Sequence, residues 1–245
     1  MRPAVKSAFA VSSAFLAFTY CSLAQALQPA GSEPPLRRID AHELCVTNGA
    51  VQTLPDGRLA IDTPSSRAVV TPPTAQTAEI RFNYLGPSKT SKPLASGELR
   101  RQIGLKLRAQ DTCNLLYAMW HIEPDSKIAV SIKRNPGMHT HEQCHASGYE
   151  TVRPRSHIDL PKVMPGETHM LRAELRRTDL TIIADDRVVW QGTVGNAIDE
   201  FDGPVGLRTD NARFAFEYYA GAVSPDTRSK ALDRAINRCV ASPGD

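Results

Sequence analysis

Residues 101–137 read RQIGLKLRAQDTCNLLYAMWHIEPDSKIAVSIKRNPG, three apolar runs parted by short polar breaks, and this stretch narrows the choice of folds more than any other. Ile103, Leu105 and Leu107 alternate with Gln102, Gly104, Lys106 and Arg108; Ile128, Val130 and Ile132 alternate with Lys127, Ala129, Ser131 and Lys133. Alternation with period two marks a strand with one buried face. Between these runs, residues 115–122 are apolar on both parities, the pattern of a central strand covered on both sides. The breaks at 110–114 and 123–126 are rich in turn formers and too short for a crossover helix. The three runs therefore predict an antiparallel meander whose outer two strands each show one face to water or to a ligand.

Strand-length patterns continue on both sides of the meander. Short strands are expected over 45–70 around a Pro55-Asp56-Gly57 turn, and another over 78–85, where Ile80, Phe82 and Tyr84 point inward. Further strands follow at 169–175, 180–184 and 187–191, the last two joined by an Asp185-Asp186 turn, and a closing pair at 205–207 and 212–219. Residues 138–156 lack a regular pattern and hold His139, His141, Cys144 and His145. Ser224-Pro225-Asp226 then supplies an N-cap, a first-turn proline and a first-turn acid, and Ala231, Leu232, Ala235, Ile236 and Cys239 recur on one helical face. The expectation is an all-β, two-sheet antiparallel sandwich over 39–223, with no helix before a short C-terminal one at 224–240 that docks on it.

The N-terminus has a different character. Arg2 and Lys6 precede an uncharged apolar run over 8–20, and Ala24-Gln25-Ala26 offers a signal-peptidase site, so residues 1–26 read as a signal peptide and 27–38, rich in proline, as a flexible lead-in. Cleavage removes two of the 29 basic residues and none of the 26 acidic ones, leaving 27 against 26. No basic cluster with interleaved aromatics is present, so nucleic acid is not an expected partner. No later segment is apolar enough to span a bilayer as a helix, and export to the periplasm or the extracellular medium follows.

The order GLKLRAQD, LLYAMWHI, IAVSIKR, PGETHMLRAELRRTDLTIIADDRVVWQGTV and GPVGLRTDNARFAFEYYAG resembles the concanavalin A-like jelly roll of LamG-type domains and of the related 3-keto-disaccharide hydrolase domain family, over residues 39–223. The resemblance implies two curved antiparallel sheets with a concave face that in many relatives binds or cleaves saccharides. Catalytic signatures are missing: there is no E-x-D-x-x-E strand, and Gly97-Glu98-Leu99-Arg100 touches only weakly the R-x-E-L-R strand of the alginate-lyase type. Three readings remain: a non-catalytic carbohydrate- or cell-envelope-binding protein, a hydrolase of a sugar derivative, and a secreted metal-binding protein using His139 and His141. No cofactor is expected.

With Ile103, Leu105 and Leu107 facing the core, Lys106 and Arg108 face the other side of their sheet. Both parities of the middle strand carry aromatic or imidazole groups there, Tyr117 and His121 on one and Trp120 on the other. An aromatic platform beside charged groups is how sugars are held. Arg208 and Asp210 from the closing GLRTDN segment join this candidate ligand surface. Four cysteines remain after cleavage of Cys21, enough for two disulfides in an exported chain. In the meander the loop after Arg134 emerges beside the turn holding Cys113, which pairs Cys113 with Cys144 and leaves Cys45 with Cys239.

Overall fold

The meander forms as the alternation requires, and the strands around it close a curled antiparallel sheet into two layers. The computed structural model describes Met1 and residues 35–223; the expected signal peptide, the C-terminal helix, Cys21 and Cys239 lie outside the described residues. Fourteen strands occur among the described residues: β1 (Leu36–Ile39), β2 (Leu44–Asn48), β3 (Gln52–Thr53), β4 (Leu59–Val70), β5 (Thr74–Pro87), β6 (Arg101–Leu107), β7 (Leu115–Glu123), β8 (Lys127–Lys133), β9 (Tyr149–Thr151), β10 (Ser156–His157), β11 (Thr168–Arg176), β12 (Asp179–Ala184), β13 (Arg187–Thr193) and β14 (Gly206–Ala222). Hydrogen bonding runs in the order β10-β13-β12-β11-β5-β14-β6-β7-β8-β9, with β4 along the other edge of β14 and β2 and β3 on β4.

Two strands belong to both layers. Residues 206–210 of β14 lie between β6 and the second half of β4, which makes the front layer with β2, β7, β8 and β9. From Ala212 onward the same strand pairs with β5 and the first half of β4, and with β11, β12, β13 and β10 this makes the back layer. The change of layer falls at Asn211, which adopts a left-handed conformation (φ 54°) and is skipped in the register between Asp210↔Ser65 and Ala212↔Thr63. Opposite it stands Pro64, which has no N–H to give to a ladder. Asparagine tolerates this backbone region better than most residues. Its side chain also repays the bend locally, donating from Nδ2 to Lys92 O (2.9 Å) and Arg100 O (3.2 Å) and accepting from Lys92 N (2.8 Å).

The core lies between the layers. Ile103, Leu105 and Trp120 from the front meet Ile80, Phe82, Leu171, Phe214 and Phe216 from the back. Phe82 sets its ring edge to face against both Trp120 (centroids 5.7 Å) and Phe214 (5.6 Å).

Four expectations are corrected. The closing pair at 205–207 and 212–219 is one continuous strand, because Asn211 bends the chain without turning it back. The short strands expected over 45–70 include a single twelve-residue strand, β4, bent at the same place. The lead-in becomes a strand at Leu36, since β1 completes the back edge by pairing with residues 218–221 of β14. A helix occurs well before the C-terminus: His141–Cys144 (α1) is one turn, closed by a reciprocal capping box between Thr140 and Gln143. The fold is an all-β antiparallel jelly-roll sandwich, and among the described residues no helix is long and apolar enough to cross a membrane.

Candidate functional site

Residues opposite one another in antiparallel strands face the same side, so the register defines what the front layer presents away from the core. One row across the sheet is Ser65, Asp210, Gln102, His121 and Lys127; the next is Arg67, Arg208, Gly104, Met119 and Ala129; the third is Val69, Gly206, Lys106, Tyr117 and Ser131. Gly104 sits between Arg208 and Met119, and a Cβ there would come within 2.5 Å of Met119 Sδ. The missing side chain lets the Met119 thioether lie over β6, and the Arg208 guanidinium lies 5.0 Å from the centre of the Tyr117 ring.

Asp210 holds this face together. Its Oδ1 accepts from Arg67 Nη2 (2.9 Å), and its Oδ2 accepts from Arg208 Nε (2.8 Å) and Gln102 Nε2 (2.5 Å). Burial alone would raise the Asp210 pKa, but the charges of Arg67 and Arg208 and the hydrogen bonds from Gln102 and Arg208 outweigh it, and the carboxyl is held below its ordinary range. Burial likewise works against the charge on Arg208, and Asp210 overcomes it, so Arg208 stays a cation. The result is a carboxylate fixed between two guanidinium groups, charge-assisted and geometrically rigid.

Tyr149 on β9 leans over the same face. Its ring stacks on that of Tyr117 with centroids 6.1 Å apart and planes at 22°, and its hydroxyl accepts from Arg208 Nη1 at 3.4 Å. Tyr149 is 44% exposed while Tyr117 is buried beneath it. Lys133, opposite Tyr149, sends Nζ to the carbonyls of Thr112 and His145 at 2.9 Å each and passes 5.4 Å from the Tyr149 ring centre. His121 is lowered to about 3, first by burial and then by the positive charges of Arg100, Lys127 and Arg208, so its imidazole is neutral at ordinary pH. Its Nε2 lies 3.4 Å from Arg100 Nη1.

Of the residues expected on the ligand surface, Lys106, Tyr117, His121, Arg208 and Asp210 share this face. Two do not. Trp120 has the opposite parity; its ring packs against Phe82 in the core and its Nε1 donates to Ser126 Oγ at 3.1 Å. Arg108 follows the end of β6 in a left-handed conformation (φ 46°), so its side chain leaves the alternation and reaches Phe201 O (3.1 Å) and Asp199 (3.4 Å), tying down the 196–201 segment. Of the two strands beside β7, β6 shows no watery face, since Lys106 is only 3% exposed and Gln102 is buried, whereas β8 does, with Lys127 exposed and Ala129 and Ser131 half-buried. Sequence reasoning missed Arg67, Gln102 and Tyr149. Gln102 was within reach, since it shares a parity with Lys106; Tyr149 had no signal, lying in a segment without pattern.

The histidine loop does not gather a ligand set. His139 Nδ1 pairs with Asp111 Oδ2 at 2.8 Å, while His141 faces His145 with ring centres 6.0 Å apart. Among the described residues the three-ligand group is Asp40, His42 and Glu43 at the start of the sandwich, where Glu43 already accepts from Arg37 and from the Asp40 backbone. The Cys113–Cys144 disulfide is present, with Cα atoms 5.8 Å apart, and it anchors α1 beside the turn before β7. Cys45 is also disulfide-bonded; Cys239, the partner expected for it, lies outside the described residues.

No protein-family model matches the chain, and no curated protein matches it by sequence. The narrower LamG-type and 3-keto-disaccharide hydrolase resemblance therefore has no family model behind it. Among solved structures the chain is similar to the carbohydrate-binding module CBM66 from Bacillus subtilis, with a TM-score of 0.51 and 15% identity over 71% of this chain and 91% of that one. It is also similar to the Emp46p carbohydrate recognition domain (TM-score 0.45, 14% identity, 74% and 90% covered) and to a tetrameric galectin from the ball sponge Cinachyrella sp. (0.39, 12%, 65% and 100%). At such identities it is the backbone arrangement that is alike, and the likeness to CBM66 places the chain among two-layer jelly-roll β-sandwiches.

Proposed function

We propose that this protein is an exported, non-catalytic saccharide-binding sandwich whose ligand surface is the outer face of the front layer. The observation that supports it most is the juxtaposition of an exposed aromatic ring, Tyr149, with a rigid polar row formed by Arg67, Asp210, Arg208 and Gln102. A sugar ring offers an apolar face to the one and hydroxyls to the other. Gln102 Oε1 is buried and has no hydrogen-bond partner among the described residues, so it meets a ligand only where the side chains around it are displaced. An unmatched buried acceptor costs about 1–3 kcal/mol, and a ligand hydroxyl would offset that. Neutral His121, two residues along β7 from Met119, can donate or accept without a change of charge.

Asp210 is a poor proton donor because both neighbouring guanidinium groups hold it ionised, which suits a clamp better than a general acid. That argues for binding over hydrolysis. The Cys113–Cys144 bond agrees with an oxidising compartment.

A glycan array on purified folded protein, followed by calorimetry on the retained sugars, tests this reading. Tyr149→Ala is expected to weaken binding on the order of tenfold, the loss of one stacking contact, while leaving the fold intact because Tyr149 lies on the short strand β9 and outside the sandwich core. Undiminished affinity in Tyr149→Ala and in Gln102→Ala would overturn it.

A further inference from the structure

The outer face of the front layer is covered largely by its own cations. The register puts Arg67, Arg208, Lys106, Lys127 and Lys133 on this side of the sheet, and the one acid in the same rows is Asp210. At the rim, Lys127 has Asp125 at 4.0 Å and Arg100 pairs with Glu98, so the excess of basic side chains falls in the middle, around Tyr117. His121 reports the same field: after burial, it is the charges of Arg100, Lys127 and Arg208 that keep its imidazole unprotonated.

The two guanidinium groups on Asp210 differ in what they have left to give. Arg67 donates from Nη1 to the carbonyls of Ser66 and Thr209, at 2.9 Å each, and from Nη2 to Asp210. Arg208 donates from Nε to Asp210, and its Nη1 makes only the long 3.4 Å contact with the Tyr149 hydroxyl. Its Nη2 makes no hydrogen bond among the described residues; it is not one of the buried polar atoms, and the side chain keeps 13% of its surface exposed, so this end of the fork meets solvent. The fork is also held still. Arg208 lies 5.0 Å from the centre of the Tyr117 ring and Tyr149 stacks on that ring at 6.1 Å, so the guanidinium and the exposed aromatic ring share one support.

We propose that the saccharide taken by this face is acidic: the carboxylate of a uronic acid residue lies end-on against Nη1 and Nη2 of Arg208, with the sugar ring on Tyr149. This rests on the saccharide reading and narrows it. A carboxylate is planar and matches two parallel N–H donors, which a tetrahedral sulfate does less well. A uronic acid carries that carboxylate on the carbon beside the ring oxygen, so one residue reaches both the fork and the aromatic ring. A neutral hexose has a hydroxymethyl group there and brings no charge to a face of five basic side chains and one acid.

The test compares sugars that differ only in this charge. Calorimetry on the purified oxidised protein, with oligogalacturonate and alginate oligosaccharides against their methyl esters, is expected to show the acids binding on the order of tenfold tighter, the difference shrinking as sodium chloride is raised. Arg208→Lys keeps the charge and loses the fork; in protein whose circular dichroism matches the wild type, it should cut the ratio of acid to ester affinity severalfold. The wild-type ratio is a test by itself, whether or not that variant folds. Acids and esters binding equally, dextran sulfate competing as well as the uronates do, or an unchanged ratio in folded Arg208→Lys would each overturn the carboxylate assignment and leave a saccharide surface standing. Binding of no glycan, acidic or neutral, would remove the saccharide reading and this inference with it.

Discussion

The hydroxyl of Tyr218 donates to the carbonyl of Gly206 at 2.8 Å, although both residues belong to β14 and twelve positions separate them. Fully extended, that length of chain would hold its ends roughly 40 Å apart. The bond exists because the strand changes layer at Asn211, so that its second half looks back across the core at its own beginning. Tyr218 is fully buried, which raises its pKa and leaves the phenol a committed donor. Tyr218→Phe removes this tie and should lower stability by about 0.5–1.5 kcal/mol, plus any cost of leaving the Gly206 carbonyl unpaired. Urea denaturation followed by tryptophan fluorescence measures it; an unchanged midpoint would mean the tie contributes nothing.

Asp210 is the carboxylate shared by two guanidinium groups in a buried setting. Asp210→Ala leaves Arg67 and Arg208 facing each other without a counter-ion and is expected to cost about 3–5 kcal/mol. Replacing all three by apolar residues of similar size should recover much of that loss. The comparison of single and triple variants by denaturant unfolding separates the worth of the pair from the cost of breaking it.

Acid should destabilise the fold in two stages. His121 takes up a proton near pH 3 when folded but near its ordinary 6.5 when unfolded, so between these values the unfolded chain binds more protons and stability falls as pH falls. Asp210 acts in the same direction lower down: its folded pKa lies below 3.8, its stabilisation is complete above that value, and it is lost as pH drops toward the folded value. His121→Asn is therefore expected to flatten the stability profile between pH 6.5 and 4 and to leave the steeper fall below 4. Equal slopes in the two proteins across the upper window would contradict the burial of a neutral imidazole.

The Cys113–Cys144 bond closes a separation of 31 residues around β7, β8 and α1. Its removal by Cys113→Ser with Cys144→Ser should cost about 2–4 kcal/mol. The loss should be felt locally as well, because α1 and the Lys133 contacts to Thr112 and His145 share that end of the sheet. Hydrogen exchange that quickens over residues 138–148 and not over β5 or β14 is the expected pattern.

The meander was legible in the sequence because alternation of side chains across a strand is a local property, and two of the three apolar runs in residues 101–133 state it on either side of a run that is apolar on both parities. The same reasoning reached Tyr117, Lys106 and Arg208, since parity alone tells which residues share a face once one of them is known to be buried. It could not choose between Tyr117 and Trp120, as the middle strand is apolar on both parities and only the packing of Trp120 on Phe82 settles which side is core. Arg108 was misjudged because a single left-handed residue ends the alternation, and nothing in the neighbouring sequence announces it. Arg67 and Asp210 meet across 143 positions, and Tyr149 reaches Arg208 from a segment with no pattern at all. Such meetings depend on the register between distant strands, which is set by the fold of the whole chain. Local periodicity therefore determined the elements and the compartment of their faces, while the tertiary structure decided which charges share one carboxylate and which ring stands in water.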